Sequence, residues 1–376
     1  MNRNFRISIS LVFALAAFCI AVPTAVQGQR LKKKPRSTKK TRTTTAPAQQ
    51  LIIMNPIVGT ADSADRSGRP RRGGADSKLV ITNMLRTALD YDQDGRADYV
   101  VFNPATNNWQ IIKSGGGTVN TPFGFRSTDY FTPGDYDGDG IGDLAVFRDT
   151  EHKWYRMLSS TGLTVVDDFG ATGDEPVARD YDGDNKTDLA VVHTATGVKT
   201  WTIKSSLTGT TTSTAWGVAA DASAPGDYDG DGKFDIAVKR AGRTATSVAT
   251  YIIRRASDGV QVNADWGLGT DLVVPGDYDG DGKTDLAVLR EGKLQTDPLT
   301  WLIKRSIDGA AVIVNFGTTG TDYNAQNDYD GDGKTDITVW NNTSATFFVM
   351  SSLSGTTASQ ALGAPNDYPV ASYDTH

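Results

Sequence analysis

A twelve-residue acidic segment that occurs six times constrains the fold of this chain more than any other feature. The copy at Asp277 reads DYDGDGKTDLAV, and near-copies begin at Asp90, Asp135, Asp180, Asp227 and Asp328. Successive copies begin 45 to 51 residues apart. An internal repeat of this period is typical of propellers and solenoids.

Each repeat carries four short strand patterns and no helical periodicity. An apolar strand such as DLAVF follows the acidic loop, and a third strand then begins with an aromatic residue. A Gly-containing turn leads to a fourth segment that ends in an aromatic-Gly pair, such as Phe123-Gly124. Together with the segment that enters the loop, these patterns predict an all-β fold, a β-propeller of four-stranded blades. The third-strand aromatics are predicted to pack between blades. They are Trp109, Trp154, Trp201, Tyr251, Trp301 and Phe347.

The chain ends in YPVASYDTH, which aligns with the first strand of one more blade. A single strand with an open edge is a liability. We therefore expect seven blades, the last of them closed jointly by N-terminal and C-terminal strands. Residues 78–85 and 51–59 are the N-terminal candidates. A six-bladed propeller is the alternative.

The acidic loops have the composition of a calcium site. Carboxylates at positions 1, 3, 5 and 9 and the backbone carbonyl at position 7 form an oxygen-only ligand set, which suits Ca²⁺. An EF-hand is excluded, because it needs Glu at position 12 and Val146 stands there. Up to six calcium ions are predicted. Gln93 replaces a Gly, so we expect the first site to be weakest, whereas Asn185 tolerates the left-handed conformation.

The predicted calcium ligands are given below in loop order. In each set the fourth residue contributes its backbone carbonyl oxygen, and the other four contribute side-chain carboxylates. The six sets are Asp90, Asp92, Asp94, Arg96 and Asp98; Asp135, Asp137, Asp139, Ile141 and Asp143; Asp180, Asp182, Asp184, Lys186 and Asp188; Asp227, Asp229, Asp231, Lys233 and Asp235; Asp277, Asp279, Asp281, Lys283 and Asp285; and Asp328, Asp330, Asp332, Lys334 and Asp336.

These loops, with an aromatic-Gly pair before each, resemble the FG-GAP/VCBS repeats of bacterial proteins, which are related to the calcium-binding blades of integrin α-subunits. The resemblance covers essentially all of residues 79–376. It implies that each loop joins the first and second strands of a blade and holds calcium on one face of the disc. The GAP tripeptide is absent here, so the VCBS-like branch is the closer match.

The N-terminus predicts export. Residues 7–22 are almost entirely apolar, and small residues precede a cleavage site after Gly28. Residues 1–28 are therefore a predicted signal peptide, which takes Cys19, the single cysteine, away with it. Residues 29–77 are a basic linker that attaches to an anionic surface or serves as a solvated spacer. The propeller would span 78–376 and lie in the periplasm, at the cell surface or outside the cell.

The predicted function is binding or adhesion, without enzymatic activity. Blades four and five carry longer loops, and Arg240, Arg243, Arg290 and Lys293 would form a basic patch there. Neutral drift in loop length explains the same pattern equally well. We expect a monomer that binds an extracellular glycan, acidic in particular, or a protein, and no nucleic acid. The alternative is a calcium-dependent polysaccharide lyase or other carbohydrate-active enzyme, which would need Lys, Arg or His clustered around a cleft.

Overall fold

The computed structural model describes residues 88–371. This part of the chain forms short β-strands and contains no helix, hence none that could span a membrane. The predicted signal peptide, the linker and both candidate N-terminal strands lie outside the described residues.

The strands are β1 (Tyr99–Asn103), β2 (Asn108–Ile112), β3 (Thr118–Pro122), β4 (Asp129–Phe131), β5 (Leu144–Arg148), β6 (Lys153–Met157), β7 (Thr164–Asp168), β8 (Glu175–Pro176), β9 (Leu189–Ala195), β10 (Val198–Lys204), β11 (Thr211–Val218), β12 (Ala222–Ser223), β13 (Ile236–Arg240), β14 (Val248–Arg254), β15 (Gln261–Leu268), β16 (Leu272–Val273), β17 (Leu286–Arg290), β18 (Pro298–Lys304), β19 (Ala311–Thr318), β20 (Asp322–Asn324), β21 (Ile337–Asn341), β22 (Thr346–Met350), β23 (Thr357–Ala361) and β24 (Tyr368–Pro369).

Within the described range these strands form six antiparallel four-stranded sheets, the blades of a β-propeller. Blade one is β24–β1–β2–β3, and blades two to six are β4–β7, β8–β11, β12–β15, β16–β19 and β20–β23. Second strands are almost wholly buried, whereas fourth strands alternate exposed and half-buried residues. The fourth strands therefore form the outer edge of each blade.

The expectation of seven blades is wrong, and the six-bladed alternative is confirmed. The C-terminal strand does not start a new blade. It pairs with β1, with Tyr368 opposite Phe102 and Pro369 opposite Val101. The Val370 N–H then donates to the Val100 carbonyl at 3.0 Å. The C-terminus thereby supplies the first strand of blade one and covers the edge that a seventh blade was expected to close.

A cyclic set of hydrogen bonds joins the blades on the face that carries the acidic loops. In each blade, the backbone N–H at position 8 of the loop donates to the position-1 carbonyl of the preceding loop. The bonds are Gly142 to Asp90 (2.7 Å), Thr187 to Asp135 (2.6 Å), Phe234 to Asp180 (2.8 Å), Thr284 to Asp227 (2.6 Å), Thr335 to Asp277 (2.6 Å) and Ala97 to Asp328 (2.7 Å). The last bond links blade one to blade six and closes the ring.

The core lies within and between the blades, as the aromatic pattern predicts. All six residues that lead the third strands have no exposed surface. The indole N–H of Trp154 donates to the Phe169 carbonyl at 3.0 Å, and Trp301 donates to Phe316 in the same way. The third strand is thus tied to the aromatic-Gly pair that ends the fourth segment, which satisfies a polar group that burial would otherwise leave unpaired.

Candidate metal centres

Each acidic loop wraps its backbone around the carboxylate at position 1. In the second loop, Asp135 accepts hydrogen bonds from the N–H of Gly138 at 2.6 Å and of Gly140 at 2.9 Å. Both glycines have a φ near +80°, which a residue with a side chain rarely adopts. Asn185 has φ 67° at the equivalent of Gly140, as expected. The repeated glycines therefore serve a specific curl of the loop.

The carboxylates of a loop converge closely enough to share one cation. At least three acidic side chains in each of several loops place ligand oxygens within 4.8 Å of one another. These groups include Asp90–Asp92–Asp94, Asp135–Asp137–Asp143, Asp180–Asp182–Asp184, Asp227–Asp229–Asp235 and Asp277–Asp279–Asp285. In blades two to six the loop joins the first strand to the second, as the repeat resemblance implies, and in blade one the loop leads into the second strand β1.

The Asp at position 9 holds each loop to another turn of its own blade. Asp143 accepts a hydrogen bond from the Tyr136 N–H at 2.8 Å, within the loop. Its second oxygen accepts one from the Ser159 N–H at 2.7 Å, in the turn between the third and fourth strands. Equivalent pairs occur at Asp98, Asp188, Asp235, Asp285 and Asp336. Since a carboxylate offers about four lone-pair sites, these bonds leave room for a metal.

Serine hydroxyls in the same turn also contact the acidic loop, and sequence reasoning assigned them no role. Ser159 donates to Asp139 at 2.9 Å, and Ser160 donates to Asp137 at 2.5 Å. Ser206 repeats the first contact in blade three by donating to Asp184. The available signal was the Ser-rich stretch before each Gly turn. Because these serines are far from the loop in sequence, only the folded blade shows that they orient its carboxylates.

The side chain at position 7 links five of the six loops to the loop before it. Lys186 extends over Gly138, where an added Cβ would lie 2.5 Å from the lysine Cε, and donates to the Asp137 carbonyl at 2.9 Å. The same packing places Lys233, Lys283, Lys334 and Arg96 over Gly183, Gly230, Gly280 and Gly331. Glycine at position 4 is therefore required by this neighbour as well as by its φ.

The junction of blades one and two inverts this arrangement. Position 7 of the second loop is Ile141, and position 4 of the first loop is Gln93 with φ 62°. The Gln93 side-chain amide donates to the Asp139 carbonyl at 2.8 Å, so here the earlier loop reaches toward the later one. The expectation that Gln93 weakens the first calcium site stays a prediction, but the loop keeps the common curl.

Burial and mutual repulsion raise the pKa of the position-9 carboxyl in every loop. Burial is the larger cause at position 9, where the pKa of Asp143 rises to about 6 and that of Asp235 to about 7. Neighbouring loop carboxylates add to the rise, and backbone N–H donors oppose it. A cation bound among these carboxylates would favour their charged form and oppose the rise.

The donor set fits a hard cation. The Oδ1 atoms of Asp92 and Asp229 are buried and have no hydrogen-bond partner. A buried carboxylate oxygen left without a donor is costly, and a bound cation removes that cost. The geometry thus supports an oxygen-ligated ion such as Ca²⁺ in these loops.

The structure does not leave all four residues of the predicted basic patch available to a ligand. Arg240 pairs with Asp221 through two hydrogen bonds of 2.9 and 2.8 Å, and Arg290 pairs with Asp271 in the same way. Arg148 makes the equivalent pair in blade two. Two of the four predicted ligand-binding cations therefore neutralise buried carboxylates of the blade edge.

Arg243 and Lys293 are exposed, in the connections 241–247 and 291–297 between second and third strands. Because strand direction alternates in an antiparallel blade, these connections lie on the face opposite the acidic loops. The placement of the long loops is as expected. Ligand binding by them stays a prediction.

A groove on that opposite face is lined by two of the chain's three histidines. It lies between blades two and three, has a volume of about 680 Å³, and is lined by His152, His193 and Glu151 among others. His193 Nδ1 lies 2.6 Å from Oδ1 of the buried Asp174. His152 Nε2 lies 2.5 Å from the Thr172 hydroxyl. His193 occupies the position of Arg148 and Arg240 in neighbouring blades.

Fold and loops define a six-bladed β-propeller with an acidic, metal-compatible loop in every blade. A family model described as FG-GAP-like repeat matches residues 90–146 and 180–238. The chain therefore contains FG-GAP-like repeats.

Two solved structures are distantly similar to this chain. TolB from Acinetobacter baumannii aligns with a TM-score of 0.45 and 15% identity over 73% of this chain, which spans only 63% of that protein. A streptogramin B lyase aligns with a TM-score of 0.36 and 9% identity, over 71% of this chain and 83% of that one. No curated protein matches the sequence significantly.

Proposed function

We propose that this protein is exported and acts as a calcium-stabilised binding or adhesion module at the cell surface or in the periplasm. One observation carries the proposal. The acidic loops lie in a closed ring on one face, and each is hydrogen-bonded to the next through its position-1 backbone. A cation held by one loop would thus stiffen both that blade and its neighbours.

The chain's own residues would bind the ion and keep the loop curled. The carboxylates at positions 1, 3, 5 and 9 and the position-7 carbonyl would hold calcium, which supplies the positive charge that the buried loops lack. Serine hydroxyls and backbone N–H groups of the neighbouring turn would orient those carboxylates. Because external calcium is roughly millimolar, even weak sites of this type would fill outside the cell.

The rigid ring would present other surfaces to a ligand. We expect a monomer whose partner is an extracellular glycan or a protein, not a nucleic acid, because residues 79–376 carry a formal charge of −18. The basic run at residues 30–42 would add electrostatic attachment to an anionic surface.

A binding screen with the full chain tests this function. Extracellular glycans and polymers and a panel of secreted proteins would be screened in roughly millimolar calcium and again in chelator. We expect at least one ligand to bind in calcium and to be lost in chelator. Binding that is equal in both conditions contradicts a calcium-stabilised binding surface, and no binding in either contradicts the binding role.

The groove between blades two and three favours one second candidate, a polysaccharide lyase. A histidine fixed through Nδ1 by a buried carboxylate leaves Nε2 available as a general base, and His193 with Asp174 has that arrangement. One observation argues against the lyase: the buried Asp at the equivalent position of blades two, four and five pairs with an Arg.

Unsaturated-product formation from acidic polysaccharides, compared between the wild type and His193→Asn, tests the lyase. Asparagine already occupies this position in blade six as Asn341 and pairs with Asp322, so the fold should tolerate the change. Product that disappears in this variant supports the lyase, and absence of product from the wild type excludes it.

A further inference from the structure

A second groove, between blades four and five, lies on the face of the acidic loops. Its volume is about 390 Å³, and its lining combines four aliphatic side chains with charged ones. Ile253, Val262 and Ala264 contribute from blade four, and Leu286 contributes from blade five. An open, apolar groove is where a ligand gains most from leaving water.

The corresponding junction between blades two and three shows what this groove lacks. There Asp167, on the outer strand of blade two, pairs with Arg156 and accepts a hydrogen bond from Lys204 at 3.0 Å. Asp167 lies opposite Trp154, and Ala264 lies opposite Tyr251, so the two residues occupy the same position in their blades. Blade four therefore has a methyl group where blade two has a carboxylate.

The cation that such a carboxylate would neutralise is nevertheless present. Lys304 ends the third strand of blade five as Lys204 ends that of blade three. Lys304 lines the groove, and among the described residues it forms no ion pair. An ammonium beside apolar walls is a favourable position for an anionic group of a ligand.

Three further cations surround Lys304. Lys283, Arg255 and Arg305 line the same groove. Arg255 and Arg305 pair with exposed carboxylates three residues later in their own turns, and such exposed pairs exchange readily with a ligand. Asp229 of the acidic loop also lines the groove and lies 3.8 Å from Arg255, so four lining cations face one lining carboxylate. This concentration of positive charge contrasts with the acidic loops around it.

We propose that this groove binds an acidic peptide segment, in which a carboxylate side chain lies beside aliphatic ones. The carboxylate would pair with Lys304, and the aliphatic neighbours would cover Val262 and Leu286. A sugar ring fits less well, because sugars stack on aromatic faces and the single aromatic lining residue is Tyr228, whose hydroxyl is bonded to the Ala224 carbonyl. This inference rests on the proposed binding function and gives it a ligand class and a site.

The test uses the full chain in calcium and three probes: a Leu-Glu repeat peptide, its Leu-Gln counterpart and polygalacturonate. We expect the Leu-Glu peptide to bind, and the Leu-Gln peptide to bind about tenfold more weakly. Ala264→Asp supplies the carboxylate found at position 167 and should weaken Leu-Glu binding about tenfold without removing a cation. Ala264→Asn has the same size without the charge and should weaken it much less.

Thr214→Asp is the matched control, because Thr214 lies opposite Trp201 at the equivalent position of blade three, outside the groove. It should leave binding unchanged, and melting temperatures will show that all variants fold. Equal losses in Ala264→Asp and Ala264→Asn, no loss in either, or preferential binding of polygalacturonate would each overturn the assignment. If ligands from the wider screen bind wild type and Ala264→Asp alike, only this inference fails; if nothing binds at all, the proposed function fails with it.

Discussion

The two faces of the propeller are built from the same repeat but differ in how closely the blades agree. On the acidic-loop face, every blade has Asp at positions 1, 3, 5 and 9, and the same backbone hydrogen bonds recur at each junction. On the opposite face, the connections between second and third strands range from two residues in blade three to seven in blades four and five.

The residue that pairs with the buried carboxylate at the blade edge on that opposite face also varies between blades. This residue is Arg148, His193, Arg240, Arg290 or Asn341, depending on the blade. A pair needs one donor of any kind, whereas a cation cage needs several oxygens at fixed distances. The proposed metal binding would thus account for the uniform face, and a tolerant pair allows the other to vary.

Removal of calcium should have the largest effect on stability, and it acts on the acidic-loop face. A site filled at one hundred times its Kd adds about 2.7 kcal/mol to the free energy of unfolding, so a few filled sites should raise the Tm by about 10 °C or more. Calorimetry of the full chain with calcium, with chelator and with magnesium measures this. Magnesium should stabilise less, because it demands stricter octahedral geometry. An unchanged Tm would contradict metal binding by the loops.

Loss of one loop carboxylate should have the next largest effect. Asp143→Asn removes a predicted calcium ligand and turns an amide donor toward the N–H groups of Tyr136 or Ser159, so we expect a loss of about 2–4 kcal/mol in calcium. The control is Asp168→Asn in the same blade, whose side chain is 83% exposed and which should change stability by less than about 0.5 kcal/mol. Denaturant unfolding compares the two, and equal effects would remove the special role of position 9.

On the variable face, Arg240→Ala should cost about 1–2 kcal/mol, because it leaves the Asp221 carboxylate buried and unpaired, although the arginine itself is partly exposed. Arg240→His should retain much of the stability, since blade three already uses that pair. The exposed Arg243→Ala should be nearly neutral. If Arg240→Ala and Arg243→Ala were equally mild in chemical denaturation, the pair would not be structural.

Lys239 offers a pH test on the same face. It is buried, and its ammonium donates to the carbonyls of Leu268 and Asp271. Burial lowers its pKa to about 8 from 10.5. Between these values the unfolded chain binds more protons, so the lysine's contribution to stability should rise with pH across that window. The Lys239→Met variant lacks the titrating group, so the free energy of unfolding of the wild type minus that of the variant should rise with pH across the window. A difference that stays constant from pH 7 to 11 would disprove the shift.

The junction of Gln93 and Ile141, which is the exception on the acidic-loop face, should show the smallest effect on stability. Gln93→Gly would leave space above the first loop, and Ile141→Lys alone would meet the Gln93 side chain. The double variant restores the Gly and Lys pair of the other junctions, so a double-mutant cycle should show favourable coupling of about 0.5–1 kcal/mol. Additive effects would mean that these two positions are independent.

The strand pattern, the loop chemistry and the buried aromatics were predictable because each depends on a few neighbouring residues. Trp154, for example, occupies a position that is aromatic in every blade and is fully buried, as its pattern indicates. The roles of Ser159 and Lys186 were not predictable, since each contacts carboxylates or carbonyls about twenty to fifty residues away. The partner of Arg240 is likewise set by a turn nineteen residues earlier.

The sequence by itself determined the four-stranded repeat and an oxygen cage in each copy, because period, turn glycines and carboxylate spacing are local properties. Only the tertiary structure decided the number of blades. Because either terminus can supply the strand that closes a ring, this number depends on which strand β24 pairs with. The tertiary structure also decided which cations are neutralised and which remain available, because Lys204 and Lys304 look alike in sequence. They differ only in the residue that the preceding blade places beside them, Asp167 or Ala264.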